Sequence, residues 1–92
     1  MAYSILTTKQ FDKHLRRCVK RGLPVDEFKT VVRLLAETGS LPRKYKAHKL
    51  KGNYIGCWEC HIQPDWLLVW EQNDSCLRLL LVDTGTHADL FG

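Results

Sequence analysis

Long apolar runs are missing from this sequence. No stretch approaches the roughly 20 residues a membrane helix needs, and the first residues lack the basic-then-apolar order of a secretory leader. Repeats, linkers and low-complexity tracts are also absent. These absences point to a soluble, cytoplasmic protein with no membrane partner, and 92 residues to one small domain spanning 1–92. Disorder is excluded from the other side, because 45% of the residues are hydrophobic. Cysteine is limited to four positions, 18, 57, 60 and 76. With a core of this size and no sign of export, free thiols are expected rather than disulfides. Cys57 and Cys60 form a C-x-x-C that, with His61 and His87, makes a candidate zinc set. Residues three apart on a strand face opposite ways, however, so neither a metal nor another cofactor is expected.

Acidic residues are scarce in the first half and basic ones in the second. Residues 1–52 carry thirteen Lys/Arg against four Asp/Glu, whereas residues 53–92 carry one against six. The overall charge of +4 therefore conceals a basic half that calls for a polyanionic partner. The densest stretch is R-K-Y-K-A-H-K-L-K over 43–51, where Arg43, Lys44, Lys46, Lys49 and Lys51 surround Tyr45 and His48. A solvated, solubilising loop is the plain reading of such a run, and phosphate binding the functional one.

The pattern along the chain predicts an α+β domain. A strand at Tyr3–Leu6 leads to a helix over 8–21, with Thr7 and Gln10 in capping-box register and Phe11, Leu15, Cys18 and Val19 on one face. Gly22 ends it. Pro24 suits the first turn of a second helix whose buried side is Phe28, Val31, Val32, Leu35 and Leu34, and Gly39 stops it. Beyond the basic loop the period becomes that of strands, at Tyr54–Ile62, Trp66–Glu71 and Cys76–Val82, with turns at 63–65 and 72–75. An N-terminal strand, a two-helix hairpin and then antiparallel strands make one small sheet packed on one face by the helices.

Alternation along 54–62 puts Cys57, Glu59 and His61 on one face and Trp58, Cys60 and Ile62 in the core. Asp65 follows across the turn. His87 arrives in T-G-T-H-A-D-L-F-G, a stretch too bulky for an ordinary disordered tail, which leaves the end of a buried strand together with Phe91. His48 comes from the basic loop. Three histidines and an aspartate thus converge beside a positive rim, while His14 shares a helix surface with lysines and arginines and is read as structural. Each residue has a duller role available, in a loop, a turn or a cap, and it is their convergence that argues for a site. Cleaving RNA with the ribose 2′-OH as nucleophile needs a proton acceptor, a proton donor and positive charge. Histidine serves either proton role near neutral pH, the lysines supply charge, and Phe91 could stack on a base.

A-H-K-L-K-G over 47–52, C-H-I-Q-P-D-W over 60–66 and T-G-T-H-A-D-L-F-G over 84–92 closely resemble the YafQ type of the RelE/ParE toxin superfamily, and the similarity spans nearly the whole chain. The resemblance implies a RelE-like, microbial-RNase-like fold. It implies ribosome-dependent cleavage of mRNA in the A site without a metal, by the toxin of a type II toxin–antitoxin system. The partners implied are a cognate antitoxin, the 70S ribosome with its mRNA, and operator DNA held mainly through the antitoxin. It also implies catalytic roles for His48, His61, Asp65, His87 and Phe91. His87 would be the general acid, Asp65 or His48 the acceptor of the 2′-OH proton, His61 the phosphate ligand and Phe91 the residue that positions a base. Arg43, Lys44, Lys46, Lys49 and Lys51 would be contacts on the rim. A non-catalytic toxin acting on a protein such as gyrase, as in other members of the superfamily, is the alternative, and a zinc-stabilised nucleic-acid module is a third reading.

Overall fold

A computed structural model describes residues 2–92. Strand β1 (Ser4–Thr7) is followed by helices α1 (Lys9–Lys20) and α2 (Val25–Thr38). A single 3-10 turn at Arg43–Tyr45 precedes the two-residue strand β2 (His48–Lys49), and a second at Gly52–Tyr54 precedes β3 (Trp58–Gln63). Strands β4 (Trp66–Asn73) and β5 (Arg78–Gly85) then lead into the short helix α3 (His87–Phe91). The sheet order is β1-β5-β4-β3-β2, with β1 parallel to β5 and the other pairs antiparallel. This is the α+β arrangement expected from the sequence, and the first strand does join the sheet.

The two helices cover one face because their apolar stripes meet alternate residues of the strands. Phe11 and Cys18 from α1 and Val31 and Leu35 from α2 pack on Cys60 and Ile62 of β3, Trp66, Leu68 and Trp70 of β4, and Leu79 and Leu81 of β5. Phe28 lies between Phe11 and Trp66, its ring 6.0 and 6.1 Å from theirs. Leu67 and Val69 point to the opposite face and are equally buried, so β4 is enclosed on both sides. The four cysteines are free, and burial raises the Cys60 thiol to about 12, which keeps it protonated at neutral pH.

Boundaries differ from expectation at identifiable places. Thr8 rather than Thr7 caps α1: its hydroxyl oxygen accepts the Phe11 N–H at 2.9 Å and its O–H donates to the Val82 carbonyl. Gln10, freed from any capping box, reaches Asp83. The strand predicted from Tyr54 begins only at Trp58, because Gly52 and Gly56 adopt positive φ of 70° and 90° and curl the chain between them. The last turn lies further on than predicted. Leu77 has φ 52° and Asn73 Oδ1 accepts the Cys76 N–H, so β5 starts at Arg78 and continues through Gly85. Gly39 ends α2 in the left-handed conformation, as its position suggested, and Tyr3 packs so closely that any Cβ there would meet its ring at 2.8 Å.

Candidate active site

The face of the sheet away from α1 and α2 carries the convergent groups. His48, Glu59, Val69 and Asp83 are directly paired across β2, β3, β4 and β5 and form one row. His61, Leu67 and Gly85 form the next, two residues along each strand. The turn between β3 and β4 presents Asp65, and α3 folds back from the end of β5 to present His87 and Phe91.

That fold-back is built locally. Thr86 caps α3 in a reciprocal box with Asp89, each side chain accepting the other's backbone N–H. Asp89 is also clasped by Arg21, which caps the C-terminus of α1, at 2.6 and 3.3 Å, and lies 3.5 Å from Arg17. The Arg21 guanidinium, foremost, holds the Asp89 carboxyl far below the usual carboxylate range. Gly85 permits the close approach, since a Cβ there would fall 2.8 Å from that of Asp89.

His87 is oriented by Asp65. Asp65 Oδ1 accepts the His87 backbone N–H at 2.9 Å and its Nδ1–H at 2.6 Å, and these two bonds hold the Asp65 carboxyl below its ordinary value. The Nε2 edge of His87 is left for a ligand. His61 lies next to it, ring centroids 5.5 Å apart and nearly perpendicular, and His48 is 6.4 Å beyond His61. At His48, Nδ1 donates to the Lys46 carbonyl at 2.8 Å, because a carbonyl can only accept. In the neutral ring Nε2 therefore carries the lone pair, and it stands 3.3 Å from Glu59 Oε1. The same oxygen is 3.9 Å from His61 Nε2.

Glu59 was not among the residues expected to act, yet it is the centre of the cluster. Its side chain is almost wholly buried, and Oε2 has no hydrogen-bond partner among the described residues. The only signal in the sequence was its place on the same strand face as His61. The five residues expected to act are brought to one side of the molecule: the three histidines with Asp65 form the cluster, and Phe91 stands at its margin against Tyr54, ring centroids 5.8 Å apart.

The rim divides. Lys44 and Lys46 line a hollow of about 280 Å³ together with His61, Gln63 and Pro64. Lys49 is turned the other way. Strand alternation in β2 puts it opposite Trp58 on the helix side, with its ammonium 5.6 Å from the Trp58 ring centroid. Arg43 and Lys51 are exposed and have no salt bridge among the described residues. Cys57, just before β3, and Cys60 within it are both buried, and no three His, Cys, Asp or Glu side chains among the described residues are arranged as a metal cage.

A RelE-like α+β fold whose open face gathers histidines and acidic groups defines a class of bacterial toxin. A family model described as "Bacterial toxin of type II toxin-antitoxin system, YafQ" matches residues 3–92. The chain is 38% identical over 84 residues to the mRNA interferase toxin YafQ of Escherichia coli (strain K12), covering 90% of this chain and 89% of that one. The structure of the E. coli DinJ-YafQ toxin-antitoxin complex superposes with a TM-score of 0.89 at 33% identity, over the full length of both chains. A metal-bound toxin from Helicobacter pylori superposes with a TM-score of 0.87 at 42% identity, over 99% of this chain and all of that one. The chain belongs to the YafQ family of type II toxins, within the RelE/ParE superfamily.

Proposed function

We propose that this protein is a ribosome-dependent endoribonuclease that cuts mRNA in the A site by metal-free attack of the 2′-OH on the adjacent phosphodiester. The observation that carries this reading is the placement of two differently supported imidazoles on either side of His61. His87 backed by Asp65 is suited to give a proton, because the carboxylate stabilises its imidazolium and leaves Nε2–H facing outward. His48 is suited to take one, because its Nδ1–H is committed to the Lys46 carbonyl and the proton taken up at Nε2 would lie against Glu59 Oε1, 3.3 Å away. Asp65, already accepting two bonds and held weakly basic, is the poorer acceptor.

In the proposed step, His48 Nε2 removes the 2′-OH proton as the oxygen attacks phosphorus, and Glu59 stabilises the imidazolium that forms. The bond from phosphorus to the 5′-oxygen breaks, and His87 protonates that oxygen as it leaves. His61, assisted by Lys44 and Lys46, holds the non-bridging oxygens as negative charge develops. The products are a 2′,3′-cyclic phosphate and a free 5′-hydroxyl. Phe91 holds a neighbouring base by stacking. The ribosome supplies substrate orientation that so small a site lacks by itself. Arg43 and Lys51 contribute long-range attraction to the polyanion rather than direct contacts.

The relative crystallised as DinJ-YafQ supports a cognate antitoxin here as well. An acidic segment covering the basic loop and the histidine face would neutralise this toxin, and operator DNA would be contacted chiefly through that partner. The test is purified protein incubated with a defined mRNA, with and without programmed ribosomes, mapping cut positions and end chemistry. Cuts at A-site codons that need ribosomes, persist in EDTA and leave cyclic or 3′-phosphate ends are expected. A folded, toxic protein that cuts under neither condition would overturn the proposal in favour of a non-catalytic inhibitor.

A further inference from the structure

Phe91 is half exposed, and its ring needs a defined direction if a base is to stack on it. α3 is only five residues long, so little of that direction comes from the helix itself. The aromatic contact that Phe91 makes is with Tyr54, edge to face at an interplanar angle of 82°. Tyr54 in turn stands in the 3-10 turn 52–54, where its carbonyl accepts the Cys57 N–H at 2.9 Å. Asp83 on β5, only 2% exposed, is used by none of the steps above.

A buried carboxylate is tolerable only when it is well bonded, and Asp83 is. Oδ2 accepts the Gln10 amide at 2.6 Å, and Oδ1 accepts both the Thr84 N–H at 2.8 Å and His14 Nδ1–H at 2.6 Å. The carboxylate is therefore immobile and ties α1 to β5 at the edge of the open face. Burial first, and Asp83 next, push the Tyr54 phenol up. In the sequence Gln10 reads as the capping-box partner of Thr7, His14 as part of a helix surface, and Tyr54 as a strand residue.

We infer that Tyr54 is a positioning residue for Phe91, and that the pair sets how a nucleobase of the substrate is held beside His87. This rests on the RNA-cleaving reading for its consequence but not for its geometry, and two measurements separate them. The first needs no RNA. NMR of the wild-type protein should show nuclear Overhauser contacts between the two rings, and side-chain relaxation should show Phe91 ordered in wild type but mobile in Tyr54→Ala. Absence of those Overhauser effects, or a Phe91 equally ordered in both proteins, overturns the inference whether or not mRNA is cut.

The second is a double-mutant cycle on programmed ribosomes. Tyr54→Ala should lower kcat/KM about tenfold, Tyr54→Phe less than threefold because the ring remains, and Tyr54→Ala combined with Phe91→Ala no further than Phe91→Ala alone. Additive losses would overturn the inference, since Tyr54 would then act on the substrate independently. Wild-type protein that leaves mRNA intact would sink the proposed function instead, and the ring proximity would still decide the role of Tyr54.

Discussion

On the proposed function, two histidines take opposite duties through what each Nδ1 bonds. A backbone carbonyl at His48 and a carboxylate at His87 set which nitrogen of each ring faces the substrate. In a pH–rate profile on programmed ribosomes, His48→Ala should lower kcat by roughly 100-fold or more and remove the limb that reports the base. Asp65→Asn should retain that limb while lowering kcat by about 100-fold, because it leaves His87 without support for its charged form. A profile in which Asp65→Asn abolishes the base limb would transfer that role to Asp65. Glu59→Gln should slow cleavage about tenfold while the circular-dichroism melting curve shows the fold retained. Residue types and spacing made the histidines and Asp65 legible from the sequence. Glu59 was not, because a glutamate alternating with core residues reads as a solvent-facing position. Only the two-residue strand β2, which brings His48 over it, reveals that it is buried. The same short strand hid the direction of Lys49, since two residues are too few for alternation to register.

At the scale of elements, α3 is held to α1 by the Asp89–Arg21 pair rather than by an apolar face. Asp89→Asn should therefore loosen both His87 and Phe91, lowering cleavage at least tenfold and raising hydrogen exchange across 86–91. Because the folded-state carboxyl titrates well below its unfolded value of about 3.8, its contribution is complete above about pH 5. It is lost as the pH falls through the acid range. Thermal melts from pH 7 to pH 2 should show wild type losing stability on the acid side and Asp89→Asn losing less. Gly85→Ala should destabilise measurably by itself, since the nearest atoms to a new Cβ include the Asp89 Cβ and not just a mobile tip. Helices α1 and α2 were legible because their apolar residues recur with the helical period. The start of β3 was not, as the alternation of Tyr54–Cys57 imitates a strand where two glycines bend the chain. Nor was α3: five residues carry too little periodicity, and the arginines that hold its Thr86–Asp89 box in place come from a distant part of the chain.

For the whole molecule, the charge asymmetry becomes a spatial one. Lys13, Arg16 and Lys20 line a shallow surface along α1 with the pinned Arg17 and Arg21, while the 43–51 loop borders the histidines. Affinity for programmed ribosomes should fall steeply with added salt, and Lys44→Ala with Lys46→Ala should reduce the log–log slope by about 0.7 for each phosphate left unneutralised. A slope unchanged by the double substitution would place these lysines outside the RNA path. The basic half was evident from counting charges. Which lysines accompany the site was not, since that depends on which face of the sheet each leaves.

The parallel pairing of β1 with β5 has a consequence in time as well as in space. Ser4 sits beside Arg78 and Thr7 beside Leu81, so β1 waits for β5 to be made before it is paired. Helices α1 and α2 are made early, but the sheet on which they rest is finished only when β5 has been synthesised. Asp65 gains its histidine later still, with α3. On the proposed function, a nascent chain lacks the cleaving site until β5 and α3 have both been made, so the order of the strands delays the nuclease relative to the helices that support it.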